Sequence, residues 1–151
     1  MRTDSQLHDS RALQIVAFPD LPPGLALLDA PDIDSIDDAN RSLARQLLLA
    51  ADLWLFVTSA ARYADAVPWE YLAEAAHRNT VVSVIVNRCP PGAVVEIAGH
   101  LAQMLAERGL AGAKLFAVAE RALPSDGMLP AGDVSGVKHW LTQLAAESEA
   151  R

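Results

Sequence analysis

The sequence predicts an α/β fold in three layers, with a mostly parallel sheet and one antiparallel pair of strands at its edge. Three observations predict it. Short β-rich apolar runs alternate with longer runs of helical period along the 151 residues, the pattern of strand–helix–strand units. Two apolar runs, residues 53–57 (LWLFV) and 80–86 (TVVSVIV), are continuous rather than alternating, as in strands covered on both faces. The first two runs, residues 12–18 (ALQIVAF) and 25–28 (LALL), are joined only by Pro19-Asp20-Leu21-Pro22-Pro23-Gly24. So short a connection cannot hold a crossover helix, and the two runs pair antiparallel.

The remaining elements follow from period and punctuation. Residues 36–51 place Ala39, Leu43, Leu47 and Ala50 at helical spacing, with Ser35 as N-cap and Asp37 and Asp38 against the positive end of the helix. Residues 68–78 read as a second helix with Pro68 in its first turn. Pro90-Pro91-Gly92 breaks the following strand, and residues 93–108 form a helix ended by Gly109. Residues 114–118 are the last strand. A Pro/Gly-rich loop at 124–132 leads to a final helix at 134–149. The chain contains no repeats and reads as one domain over 1–151, with residues 1–10 as a disordered tail.

Composition narrows the function classes. Hydrophobic residues make up 52% of the chain but aromatics only 5%, so the core is built mainly of Leu, Val, Ile and Ala. A net charge of -7 argues against direct nucleic-acid binding, which needs a basic face, and weighs against unaided adhesion to anionic lipid. The single cysteine, Cys89, rules out an internal disulfide framework and a cysteine-rich metal site, and fits a reducing, cytoplasmic compartment. The polar N-terminus lacks the apolar core of a secretory signal. Residues 47–61 are nearly apolar but fall short of the roughly 20 residues of a spanning helix, and Asp52 interrupts them.

Sheets of this kind take ligands outside the carboxyl ends of their parallel strands. The loops there are residues 29–35, 58–65, 87–90 and 119–121. Asp29 closes an apolar strand, a position suited to holding a metal-bound water beneath a nucleotide phosphate. Asp32 and Asp34 crowd the same loop, which is unfavourable unless a cation, a helix N-terminus or solvent relieves them.

The element LLDAPDIDS, residues 27–35, resembles the strand-plus-DxPGxDS motif of dynamin-like and other translation-factor-class GTPases. The longer stretch of residues 25–69 is similar to actinobacterial dynamin-family GTPase-like proteins, and the likeness of layout extends over nearly the whole chain. The resemblance implies a P-loop GTPase-like fold from which the first strand, the phosphate loop and the first helix are missing, since no GxxxxGK[ST] occurs. It implies that Asp29 serves the shell of a Mg2+ ion through water, and that Pro31, Asp32, Ile33, Asp34 and Ser35 form a mobile switch. Asn87 matches the asparagine of the family's guanine-reading NKxD motif, Arg88 stands for its lysine, and Ala119 lies at the position of the short base-contacting loop. Two departures stand out. Asp32 replaces the phosphate-reading glycine and would repel a phosphate by a few kcal/mol. Pro90 replaces the guanine-pairing aspartate, a loss of about 1–3 kcal/mol in base discrimination.

The expectation is a GTPase-like portion of a dynamin-family protein, binding GTP with Mg2+ only in an intact protein and inactive as an isolated chain. Its partners would be the nucleotide, a second copy of the chain, or a helical, membrane-associated region of the same protein. The alternative is a pseudo-GTPase or protein-interaction module without hydrolysis. A two-aspartate phosphatase reading of Asp32 and Asp34 fails because Pro31 separates them from the strand end. Arg62-Tyr63-Ala64-Asp65 is either a partner contact or a loop anchored by Tyr63. Trp54, Trp69 and Trp140 read as packing residues, the four histidines as surface imidazoles, and Cys89 as a small buried thiol.

Overall fold

Three strands pair along apolar, β-branched runs, whose burial requires helices packed against the sheet. The computed structural model describes residues 14–149. Its order is α1 (Asp38–Ala50), β1 (Leu53–Ser59), α2 (Ala66–His77), β2 (Val81–Cys89), a 3-10 turn (Pro91–Ala93), α3 (Val94–Glu107), β3 (Lys114–Ala119) and α4 (Ala131–Glu149). The strands lie in the order β1-β2-β3, and both pairings are parallel.

Register sorts the side chains between the two faces. Trp54, Phe56 and Thr58 stand beside Val82, Val84 and Val86, and Leu115 and Ala117 continue the row on β3. Against this face pack Trp69, Leu72 and Ala75 of α2 and Leu101 and Leu105 of α3, joined by Leu48 of α1. Trp54 adds a directional contact there, its indole N–H donating to the Leu48 carbonyl at 2.7 Å. On the opposite face Phe116 meets Trp140 of α4, with ring centroids 5.9 Å apart. All three tryptophans are buried, as the sequence reading expects. Helices on both faces of a parallel sheet give the α/β class, and no helix among the described residues is long and apolar enough to cross a membrane.

The expected antiparallel edge pair is absent among the described residues. Residues 14–18 and 25–28 carry no strand ladder, while Ala12 and Leu13, like residues 1–10, lie outside the described part. The connection between the two runs explains this. It folds as two successive tight turns, Leu21 N–H to the Phe18 carbonyl and Leu25 N–H to the Pro22 carbonyl, with Gly24 at φ 78°. Pro22 and Pro23 also remove two backbone donors where a hairpin would need them. Ile15, Phe18 and Leu27 consequently stand more than half exposed, at 88%, 63% and 57%.

Several boundaries move for local reasons. Asp37, not Ser35, caps α1, its carboxylate accepting from Ala39 N–H at 2.8 Å. Ser35 instead accepts from the Asp37 amide through its hydroxyl. α2 begins two residues before Pro68, which sits in the first turn where no amide partner is needed. α4 likewise starts at Ala131, ahead of the expected residue 134. β1 extends to Ser59 and β2 to Cys89, carrying both strands onto the ligand-side rim.

Candidate functional site

The rim is shaped by an irregularity at the end of β2. The register against β3 shifts between Val86 and Cys89, and Arg88 takes the left-handed φ of 52°. A non-glycine residue there is uncommon and persists only where its surroundings impose it. Here they do: the Asn87 carbonyl accepts from Ala60 N–H at 2.9 Å, and the Cys89 carbonyl from Glu120 N–H at 2.7 Å. The carboxyl end of β2 is thereby tied to the chain leaving β1 on one side and β3 on the other. Cys89 is fully buried beneath it. Burial pushes its thiol above the ordinary value, so it is held neutral, as expected of an inert packing cysteine.

At this end of the sheet lies a cleft of about 240 Å³. Its floor is Phe56, Val57, Thr58 and Ser59 at the end of β1, and its walls are Asp32, Ile33 and Asp34, Arg62, Pro68 and Asn87. The loop that delivers Arg62 is braced. Arg62 and Tyr63 both donate their amides to the Ser59 carbonyl, at 3.0 and 2.9 Å. The Tyr63 hydroxyl hydrogen-bonds His100 Nδ1 at 2.8 Å, and the two rings meet edge to face. The Trp69 indole N–H donates to the Tyr63 carbonyl at 2.9 Å. The anchored-loop reading of Tyr63 thus holds, and His100 is a surface imidazole, as expected, that also pairs with Tyr63.

Arg62 projects from this platform into a ring of acids. Its Nε donates to Asp65 at 3.1 Å, and its Nη2 reaches the Asp34 carboxylate. These carboxylates, Asp65 first and then Asp34, raise the guanidinium pKa further above its ordinary value. The crowding of Asp34 noted in the sequence is relieved here by a cation 28 residues away. The i,i+3 spacing of Arg62 and Asp65 was visible in the sequence; the bridge to Asp34 depends on how α1 returns the chain to β1.

The structure brings some of the sequence-derived site residues together and separates others. Asp32, Ile33, Asp34 and Asn87 line one cleft. Pro31 and Ser35 flank its wall, half-buried. Asp29 is exposed and outside the cleft lining, as is Arg88. Ala119 is half-buried opposite Cys89 at the end of β3, also outside the lining. Among the described residues no group of three or more His, Cys, Asp or Glu is placed to hold a metal ion. With Asp29 apart and Asp34 engaged by Arg62, these residues do not by themselves fit a magnesium ion. No protein family, curated protein or solved structure matches the chain.

Proposed function

We propose that the chain is the switch- and base-side portion of a GTPase-like, dynamin-family nucleotide-binding domain, active only within an intact protein that supplies a phosphate cradle. One observation carries this reading: the Asp32–Asp34 turn and Asn87 converge on a single cleft at the carboxyl ends of two parallel strands. That is where open parallel sheets take their ligands. The cleft offers the Asn87 amide and the hydroxyls of Thr58 and Ser59, a donor–acceptor set suited to a base or ribose edge. Its volume of about 240 Å³ lies below the roughly 300–1,000 Å³ of a complete small-molecule pocket, consistent with part of a nucleotide site. β1 has a strand neighbour on one side only among the described residues, which leaves its other edge open to a further strand.

A second reading, a pseudo-GTPase or protein-interaction module, is favoured by a different observation. Ile15, Val16, Phe18, Leu27, Leu28 and Ile36 are all exposed, Ile36 by 98%, on the segment that precedes α1. Exposed apolar side chains recurring along one segment are candidates for burial by a partner.

Calorimetry on the intact protein separates the two readings. Guanine nucleotide should bind, and Asn87→Ala should weaken it about 5- to 150-fold, the worth of about 1–3 kcal/mol in lost pairing. Absence of nucleotide binding by the intact protein would overturn the GTPase-like reading in favour of the interaction module. The chain of residues 1–151 should show no affinity tighter than millimolar, and micromolar affinity would overturn the claim that it lacks a phosphate site.

A further inference from the structure

The two walls of the cleft are held very differently. The Arg62 loop is fixed to β1, α2 and α3 through Ser59, Trp69 and His100. The opposing turn closes on itself, Ser35 N–H to the Asp32 carbonyl at 3.1 Å, and is tied behind to α1 by Arg41, which donates to the Ser35 carbonyl at 2.6 Å. Across the cleft, the Asp34 carboxylate meets the Arg62 guanidinium. Among the described residues Arg62 is the one cationic side chain lining the cleft, and it meets Asp34 across it and Asp65 beside it.

We propose that Arg62 is the positioning residue of the Asp32–Ser35 segment, a clasp thrown from a rigid loop that holds this segment against the carboxyl end of β1. Three features carry it. The guanidinium answers two carboxylates at once, one on its own loop that orients it and one on the segment it holds. The Asp34 side chain is 25% exposed and that of Arg62 61%, so the carboxylate end of the contact is shielded while the guanidinium remains open to solvent and to competing anions. The platform behind Arg62 is braced on buried Trp69, so when the clasp opens it is the Asp34 side that moves. An anionic ligand that engaged Arg62 would compete with Asp34 and release the segment, coupling occupancy of the cleft to the segment's freedom. The inference rests on the GTPase-like reading only in regarding that segment as a switch.

The clasp is measured by amide hydrogen exchange on the full chain, with no nucleotide present, so failure of the nucleotide reading cannot be mistaken for failure of the clasp. Arg62→Gln and Asp34→Asn should each speed exchange across residues 32–37 about two- to fivefold, the range of a partly exposed ion pair. The double variant should be no faster than the quicker single one, because both remove the same contact. Salt at about 1 M should reproduce the effect in the unmodified chain and add little in the variants, since it screens this pair. Arg62→Lys should restore part of the protection, keeping the charge but not the two-pronged geometry. Additive effects in the double variant, unchanged exchange in both single variants, or acceleration spread equally into β2 would each overturn the proposal.

Discussion

Replacing Trp69 with phenylalanine tests whether the wall behind the cleft is held by specific contacts or by apolar bulk alone. Trp69 is 7% exposed, donates its indole N–H to the Tyr63 carbonyl at 2.9 Å, and lies under the Arg108 guanidinium, 4.3 Å from the ring centroid. Phenylalanine keeps an aromatic ring but not the donor. Leaving the Tyr63 carbonyl without its partner costs about 1–3 kcal/mol. Weakening the cation–π contact adds about 0.5–1 kcal/mol at such a site. The sum is roughly 1.5–4 kcal/mol, and Arg108→Ala, which removes the cation and its exposed bond to the Met104 carbonyl, should cost about 1 kcal/mol. Urea unfolding followed by far-ultraviolet circular dichroism avoids the lost fluorophore. With a slope of about 2 kcal/mol per molar, the midpoint for Trp69→Phe should fall by about 0.7–2 M. A fall below about 0.3 M, or an Arg108→Ala variant equally destabilised, would refute the assignment of the hydrogen bond as the main anchor.

Other outcomes follow from single contacts. Asp37→Ala should destabilise the chain by about 0.5–2 kcal/mol and loosen chiefly the first turn of α1, as read by exchange at Ala39 and its neighbours; Ser35→Ala should do less to that amide, and the reverse order would restore Ser35 as the cap. Cys89, with its folded-state pKa raised above 9.0 by burial, keeps its proton in the native chain where the unfolded chain loses it. Its contribution is therefore complete below pH 9.0 and declines as pH rises towards the folded value, so unfolding midpoints at pH 8 and pH 10 should differ more in the native chain than in Cys89→Ala. Equal differences would show that the thiol is not linked to folding.

How far the sequence could be read depended on the range of the interactions involved. Continuous runs such as LWLFV and VVSVIV declare parallel strands, but burial on both faces holds only in part: Trp54, Val82, Val84 and Val86 are buried, while Val57 and Val81 stand 58% and 53% exposed. Gly109, with its φ of 80°, marks the end of α3 because few other residues tolerate that conformation. The early LALL run shows the limit. Its composition suits a strand, yet a strand exists only when a neighbour takes its backbone groups, and none does among the described residues. The N-cap of α1 lies two residues beyond the one the sequence suggests, since Ser35 and Asp37 are both good caps and only the path of the chain selects between them.

By itself, the sequence determined the α/β class, the order and type of the helices and strands from α1 onward, and the loops on the carboxyl side of the sheet. These follow from local periodicity and turn chemistry, which act over a few residues. Tertiary structure decided which loop residues meet. It brought Asp34 to Arg62, set Asn87 beside Ser59, bent the backbone at Arg88 to join three strand ends, and left Asp29 outside the cleft. Such pairings depend on how the crossovers stack the strands, a geometry set by packing across the whole sheet.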